Sequence, residues 1–246
     1  MEPVGPESGT TPITVEYVKG VERLCRKYGA LLVFDEVVTG FRIGMAGAQG
    51  YFGVSPDLTI FGKVIAGGYP GAGGIGGKRE YMKYLGAGLD SSGKKIHKAL
   101  VGGTMTANPL SCCAGYFTLE EIERTNACQK AGQMGDRICA GLKELVKKHG
   151  LPFVVWNTGS ICHLETVGTM HYQINWKKPW EIPAILGETG IRQKEMEHMG
   201  AAYMAEGLVT LAGSRLYTSA AYTPKMIDQA LACFDRVFEN VAVKAD

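Results

Sequence analysis

A short continuous apolar run at residues 30–34, and a second strand-like segment, Asp-Leu-Thr-Ile-Phe at residues 57–61, lead directly into polar or glycine-flanked residues. A continuous run such as residues 30–34 is typical of a strand that is buried on both faces. The first run ends at Asp35–Glu36 and the second at Gly62–Lys63. Residues 13–28, before the first run, have the apolar spacing of a helix. This order predicts an α/β fold with a largely parallel sheet, in which ligands bind at the carboxyl ends of the strands.

The remaining chain is predicted to form helices and two short strands, at residues 109–124, 126–149, 153–156, 160–166 and 179–211. A last helix is predicted to begin at Thr223–Pro224, because proline suits the first turn of a helix. The pattern changes near residue 128. We therefore expect one domain over residues 1–128 and a second over residues 129–246.

Charge and composition exclude several classes of function. The net charge of +2 gives no basis for a nucleic-acid surface or an anionic membrane partner. The sequence has no apolar run long enough for a spanning helix, and no secretory signal is expected. The seven cysteines include no C-x-x-C pair with zinc spacing, so no metal site is predicted. Reduced thiols of this kind are typical of a cytoplasmic protein.

The first chemical signal is Asp35, within the segment Phe-Asp-Glu-Val-Val-Thr-Gly-Phe-Arg at residues 34–42. A carboxylate at the end of a buried strand is costly unless a cation or hydrogen-bond donors meet it. A bound heterocycle with a protonated ring nitrogen would supply such a partner. The alternative is a structural carboxylate that caps the next turn.

The second signal is Lys63, within residues 61–68, where glycines flank it closely. Clustered glycines indicate backbone that turns sharply or approaches another group. We expect Lys63 to lie in a tight, partly desolvated place, which favours the neutral amine. A neutral amine attacks a carbonyl and forms a Schiff base. The alternative is an exposed lysine on a loop.

The third signal is the segment 102–110, where Gly103 and Thr104 precede a predicted helix. Glycine amides, a threonine hydroxyl and a helix N-terminus together form an anion site. The alternative is an ordinary N-capping loop. An acid, an amine and a phosphate-type loop in one α/β layer are the groups with which a protein holds pyridoxal phosphate.

Two other nucleotide motifs fit poorly. Residues 71–76 match G-x-G-x-x-G, but Gly67-Gly68-Tyr69-Pro70 precede them where a dinucleotide-binding fold needs a strand. A phosphate-binding P-loop requires serine or threonine after its lysine, and neither Lys63 nor Lys78 is followed by one.

The motifs resemble those of class III aminotransferases, and among them most closely the glutamate-1-semialdehyde aminomutase branch. The segments that carry the resemblance lie at residues 2–4, 34–42, 56–58, 62–68 and 103–109. The resemblance implies the large domain of a fold type I pyridoxal-phosphate enzyme, followed by a small α/β C-terminal domain. Members of the family have a long N-terminal half before this point, so the chain is expected to be a C-terminal portion.

The resemblance also implies roles for particular residues. Lys63 would form the Schiff base with pyridoxal phosphate and shuttle a proton, and Asp35 would pair with the pyridinium nitrogen. Val37 would pack on the cofactor ring. Gly103 and Thr104 would hold the phosphate, in this family usually that of the neighbouring subunit. The active site is therefore expected at the interface of a homodimer.

Departures from the family pattern bear on the substrate. Val38 stands where γ-aminobutyrate and ornithine enzymes have glutamine, which favours the aminomutase or β-amino-acid branches. The run Ala-Tyr-Thr at residues 221–223 replaces the Ala-His-Thr that is usual in aminomutases. Glu7 lies where relatives have a residue near the substrate. Arg215 is a candidate for binding a substrate carboxylate, with a surface arginine as the alternative.

The sequence therefore predicts amino transfer or 1,2-amino migration on a small amino acid, semialdehyde or keto acid. Racemisation or epimerisation remains open, because the same lysine proton shuttle serves both reactions. A non-enzymatic alternative is a truncated product that associates with a missing half.

Overall fold

The computed structural model describes residues 1–4, 12–86, 88–166, 177–211 and 213–241. Its contacts divide the chain into two compact units, one ending at Asn126 and the other beginning, in its main part, at Ala127. In the described residues, no helix has both the length and the apolar character of a membrane span. Those same residues bring no three His, Cys, Asp or Glu side chains together as a metal site.

The first unit contains a sheet with helices around it. Its described elements are α1 (Val15–Tyr28), β1 (Val33–Asp35), α2 (Gly47–Phe52), β2 (Leu58–Phe61), β3 (Gly74–Gly77), α3 (Arg79–Met82) and α4 (Pro109–Thr125). Short 3-10 turns follow β2 at Lys63–Ala66 and α3 at Lys83–Leu85. The predicted helix over residues 13–28 and both predicted strands are present, so the α/β class is confirmed.

The described sheet of this unit has the order β1-β2-β3. β1 and β2 are parallel, with Asp35 beside Ile60 in the register. β3 pairs antiparallel with β2, because only a 3-10 turn and a glycine-rich loop separate them. A parallel return would need a longer crossover, usually a helix. The G-x-G-x-x-G pattern of residues 71–76 therefore runs into an antiparallel edge strand.

Capping residues fix the first helix, and a buried acid fixes the start of β2. The Thr14 side chain accepts a hydrogen bond from the N–H of Tyr17, and Gly29 ends α1 in the left-handed conformation. The buried Asp57 accepts hydrogen bonds from Arg26 and Lys78, each at 2.6 Å. Asp57 therefore joins α1 to the sheet.

The second unit is an antiparallel sheet packed against helices. Its described elements are α5 (Ala127–Lys148), β4 (Val154–Thr158), β5 (Ile161–Glu165), α6 (Ile182–Ala205), β6 (Arg215–Tyr217) and α7 (Pro224–Glu239). A 3-10 turn at Pro179–Glu181 precedes α6. The described sheet has the order β4-β5-β6, with both pairs antiparallel. Leu142, Leu164, Tyr203 and Phe234 lie in its core.

The predicted elements of this unit are present with boundaries that differ by a few residues. The last helix begins at Pro224, and the side chain of Thr223 caps it by accepting from the N–H of Met226. The assignment of the two units to a large and a small domain, divided near residue 128, stays a prediction.

Candidate active site

Lys63 lies one residue beyond the end of β2, after Gly62, and begins the 3-10 turn Lys63–Ala66. Its φ of 50° lies in the left-handed region, which non-glycine residues rarely adopt and which costs roughly 1–2 kcal/mol. Strained residues of this kind persist where the surrounding structure holds them, and they cluster at functional sites. The strain at Lys63 is thus an independent indication of a functional position.

The side chain of Lys63 is less enclosed than expected. The residue is exposed, so the prediction of a partly desolvated amine is wrong for the described chain. The physical reason is its position, because the turn leaves the edge of the sheet and Lys63 lines an open cavity. Lys63 is therefore exposed, as the alternative interpretation expected, but it lies in an ordered 3-10 turn and not in a loop.

The two adjacent acids at the end of β1, Asp35 and Glu36, have different environments. Glu36 is buried and accepts from the hydroxyl of Thr39 at 3.1 Å and from the N–H of Ala48 at 2.7 Å. It therefore caps the first turn of α2, as the structural alternative anticipated for this segment. Asp35 is half-buried, and its Oδ1 accepts from the N–H of Val37 at 3.0 Å. Among the described residues, Oδ2 of Asp35 receives no hydrogen bond.

Asp35 and Lys63 lie at the same edge of the sheet. Asp35 pairs with Ile60 across two parallel strands, and the N–H of Glu36 donates to Ile60 at 2.8 Å. Lys63 follows Ile60 on the neighbouring strand, just beyond its carboxyl end. Ligands of α/β sheets bind at such strand ends.

Val37 packs against Gly62, the residue before Lys63. A methyl group placed on Gly62 would lie 3.2 Å from Cγ1 of Val37 and 3.4 Å from Cγ2. Gly62 therefore provides the space that the Val37 side chain occupies next to Lys63.

A cavity of about 450 Å³ opens beside Lys63. This volume is within the range of small-molecule sites. The residues that line it are Val37, Val38, Gly40, Arg42, Lys63, Val64, Gly68 and Tyr69. The cavity therefore brings together Lys63 and Val37, two of the residues predicted to hold the cofactor.

Arg42 and Tyr69 were not assigned a role by the sequence, although both lie inside the motifs. Arg42 ends the segment that begins with Phe34, and Tyr69 follows the glycines after Lys63. Their position within these segments is the sequence signal that points to Arg42 and Tyr69 as part of the site.

The loop with Gly103 and Thr104 lies against the chain after the lysine turn. The N–H of Ala107 donates to the carbonyl of Gly71 at 2.7 Å, and the N–H of Thr106 donates to Gly103 at 3.0 Å. Thr104 is exposed. Its hydroxyl and the glycine amides are accessible to an anion.

The N-terminus of α4 contributes less to an anion site than predicted. Asn108 caps the helix, because its Oδ1 accepts from the N–H of Ser111 at 3.0 Å. Pro109, at the first helical position, has no N–H to offer. The capping alternative therefore describes the start of the helix, whereas the role of Thr104 stays a prediction.

The two candidate substrate residues are placed differently. Arg215 begins β6 in the second unit and is 8% exposed, so the alternative of a surface arginine is wrong. It pairs in register with His163, whose ring stacks on Trp156 with centroids 4.0 Å apart. Glu7 lies outside the described residues.

Residues 1–212 match the family model described as aminotransferase class-III. The chain belongs to the class III aminotransferase family. The predicted family is thus confirmed.

Similar sequences include glutamate-1-semialdehyde 2,1-aminomutases. The aminomutase 2 of Brevibacillus brevis is 34% identical over 237 residues, which are 94% of this chain and 50% of that protein. Aminomutase 1 of Staphylococcus epidermidis is 41% identical over 161 residues, which are 65% of this chain and 35% of that protein. The chain therefore spans about half of the length of the first relative and about a third of the length of the second.

Solved structures of transaminases share the fold. An omega-transaminase from Sphaerobacter thermophilus superposes with a TM-score of 0.75 at 24% identity, covering 97% of this chain and 51% of that one. A beta-phenylalanine aminotransferase from Variovorax paradoxus gives a TM-score of 0.76 at 22% identity, with the same coverage. These likenesses confirm the transaminase fold of the class III chain.

Proposed function

We propose that the chain is part of a pyridoxal-phosphate-dependent aminotransferase or aminomutase. In it, Lys63 is the lysine that binds the cofactor, Asp35 is the acid that pairs with the ring nitrogen, and Val37 is the residue that packs on the ring. One observation carries the proposal. Asp35 ends β1 and Lys63 follows the neighbouring parallel strand β2, while Val37 packs against Gly62, the residue before Lys63. Membership of the class III aminotransferase family supports the same chemistry.

The residues fit pyridoxal phosphate on three counts. The cavity beside Lys63 has room for a substituted pyridine, and the exposed amine is free to reach an aldehyde. Asp35 uses only Oδ1 for its own turn, which leaves Oδ2 for a ring N–H. The side chain of Val37 offers an apolar surface for the ring.

Each residue then has a definite task. When bound, the cofactor supplies an electron sink for the bond that breaks at the substrate carbon. Lys63 would hold the cofactor through its aldehyde, and its amine would move a proton as a general base and acid. Asp35 would pair with the ring nitrogen and favour its protonated form, and Val37 would pack on the ring.

We also propose a homodimer in which Gly103 and Thr104 hold the phosphate of the neighbouring subunit's cofactor. Thr104 is exposed, and apolar side chains close to it in sequence are exposed as well. These are Leu100, Val101, Met105, Leu110 and Phe117, which are 60% exposed or more. Exposed apolar side chains of this density support a protein interface.

The proposed reaction is amino transfer or 1,2-amino migration on a small amino acid, semialdehyde or keto acid. Its support is the set of glutamate-1-semialdehyde aminomutases among the similar sequences, together with Val38 in place of glutamine. Arg215 is proposed to bind a substrate carboxylate, since a guanidinium matches one in a bidentate manner. Glu7 is proposed to lie near the substrate.

Two further proposals concern organisation and compartment. Residues 1–128 are proposed to form a large-domain portion and residues 129–246 the small C-terminal domain, which the two compact units support. The protein is proposed to act in the cytoplasm, because all seven cysteines are free thiols.

Borohydride reduction in the presence of pyridoxal phosphate tests the assignment of the lysine. Peptide mapping is expected to find the reduced cofactor on Lys63 in the wild-type chain. Lys63→Arg keeps the charge but cannot form the bond, and should abolish the labelling. Lys98→Arg, on an exposed loop, is the matched control and should label normally. Labelling spread evenly over many lysines contradicts the proposal.

A further inference from the structure

The turn that bears Lys63 is held in an unusual shape. Lys63 begins it with a φ of 50°, and Gly67 ends it with a φ of 59°. A lysine keeps a left-handed backbone only where neighbouring structure enforces it. The element that packs against this turn is α4.

The backbone of α4 contacts the backbone of residues 65–67 directly. A methyl group on Gly115 would overlap the carbonyl oxygen of Ile65 and lie 3.0 Å from its carbonyl carbon. A methyl group on Gly67 would lie 2.5 Å from the carbonyl oxygen of Ala114. Both glycines are required for this approach, because any larger residue would push the turn away from the helix.

The first turn of α4 holds the far end of the same segment. The hydroxyl of Ser111, a residue only 1% exposed, donates to the carbonyl of Pro70 at 2.6 Å. The Asn108 side chain donates to the same carbonyl at 3.3 Å and to Oγ of Ser111 at 3.0 Å. The N–H of Ala107 donates to Gly71 at 2.7 Å. Contacts with α4 and with the residues just before it therefore hold residues 65–71 at both ends.

We propose that Ser111 and Gly115 are positioning residues that fix the Lys63 backbone and so aim its amine. This inference rests on the proposed function, in which Lys63 binds the cofactor's aldehyde. The helix holds the backbone on which the amine is carried, while the exposed side chain stays free to move. A displacement of about 1 Å at a reacting group can cost about 100-fold in rate.

Three variants isolate the effect of α4. Ser111→Ala removes the short hydrogen bond to Pro70, and Ser111→Thr keeps a hydroxyl that can restore it. Gly115→Ala introduces the methyl group that meets Ile65. The matched controls are Gly20→Ala in α1, where the nearest atom lies 3.7 Å away, and Ser92→Ala on an exposed loop. If Gly115→Ala does not fold, the two serine variants carry the test.

The first measurement is amide hydrogen exchange in the full chain without cofactor. Ser111→Ala is expected to speed exchange over residues 64–71, with Ser111→Thr close to wild type and no change in the core of the second unit. Equal exchange over residues 64–71 in Ser111→Ala and wild type overturns the proposal.

The second measurement is the rate of borohydride trapping at Lys63 with pyridoxal, which lacks the phosphate and so reports on the amine alone. Ser111→Ala and Gly115→Ala are expected to slow trapping by about tenfold or more, with recovery in Ser111→Thr. Trapping at the wild-type rate in folded Ser111→Ala overturns the positioning role alone. A wild-type chain that is not labelled at Lys63 overturns the proposed function, and the inference with it.

Discussion

Val37 lies against Gly62, so closely that a methyl group on the glycine would be 3.2 Å from Cγ1 of the valine. Gly62 precedes the turn of Lys63, and Val37 follows the acid Asp35 by two positions. The contact therefore links the two strand ends that carry the proposed chemistry. Its tightness has a direct consequence for substitution at position 62.

Gly62→Ala is expected to push Val37 toward the cavity and weaken cofactor binding by about tenfold, because the added methyl group would approach Cγ1 of the valine more closely than ordinary van der Waals contact. Titration with pyridoxal phosphate, followed by absorbance, measures the change. Gly88→Ala, where nothing lies within 4 Å of the added carbon, is the control and should bind normally. Unchanged affinity in Gly62→Ala would show that Val37 does not contact the cofactor.

Substitutions of the neighbouring acids Asp35 and Glu36 are expected to have different effects, one on turnover and the other on stability. Asp35→Asn keeps an oxygen for the N–H of Val37, so the fold should persist. The amide cannot hold the ring nitrogen protonated, and the turnover number should fall about 100-fold or more. Steady-state kinetics and the absorbance spectrum of the bound cofactor measure this loss.

Glu36→Gln is the matched comparison at the next position. Thr39 and Ala48 both donate to Oε2 of Glu36, which the remaining oxygen of glutamine can replace. The new NH₂ group then takes the place of Oε1 and cannot accept from the N–H of Gln49. A buried unsatisfied group costs roughly 1–3 kcal/mol, so the midpoint of chemical denaturation should fall. Loss of turnover in Glu36→Gln with normal stability, or loss of stability in Asp35→Asn, contradicts this division of roles.

Acid should destabilise the first unit through Asp57. Burial of this carboxyl raises its pKa, but hydrogen bonds from Lys78, the N–H of Leu32 and Arg26 outweigh burial and lower the pKa from 3.8 to about 2. A carboxyl with a lowered folded-state pKa stabilises the fold above its unfolded pKa. That stabilisation disappears as the pH falls from about 4 through about 2.

The effect of Asp57 should be on the order of 1 kcal/mol, because Arg26 and Lys78 are about 40% exposed and solvent screens them. The free energy of unfolding, measured in urea from pH 7 to pH 2, should show wild type and Asp57→Asn converging at low pH. Asp228→Asn, in an exposed ion pair with Arg137, should change little. A difference between wild type and Asp57→Asn that stays constant with pH contradicts the predicted pKa.

The sequence predicted the elements whose signals are local. Gly29 marks the end of α1 and Thr223 caps α7, because capping depends on a few adjacent residues. Exposure of Lys63 was not predictable in this way, since it depends on which distant segments cover the turn. The division of labour between Asp35 and Glu36 depends on α2, which folds back to present its N–H groups to one acid alone.

The contacts that hold the Lys63 turn in place could also not be predicted from the sequence. Gly115 and Ser111 lie in a helix far along the chain from Lys63, and neither has an unusual local context. Their role follows only from the packing of α4 against the turn. Long-range contacts of this kind leave no periodic or compositional signal in a single sequence.

The proposed homodimer with shared active sites makes a specific prediction for mixed dimers of Lys63→Arg and Thr104→Ala chains. A Lys63→Arg chain has no amine to bind the aldehyde, and a Thr104→Ala chain lacks the hydroxyl proposed for its neighbour's phosphate. In a mixed dimer, the Lys63 of the Thr104→Ala chain meets an intact Thr104 on its partner. That single site should therefore be complete, although each parent dimer is defective.

Random assortment of equal amounts places about half of the Thr104→Ala chains in mixed dimers. After unfolding and refolding together, about half of these chains should trap pyridoxal phosphate at Lys63 with wild-type affinity. The same chains refolded alone should bind it weakly. Mixing Lys63→Arg with Lys98→Ala chains is the control, and it should leave the affinity at Lys63 unchanged. If the Thr104→Ala chains bind equally weakly alone and mixed, Thr104 does not serve a neighbouring subunit, because only a partner's hydroxyl can restore the site.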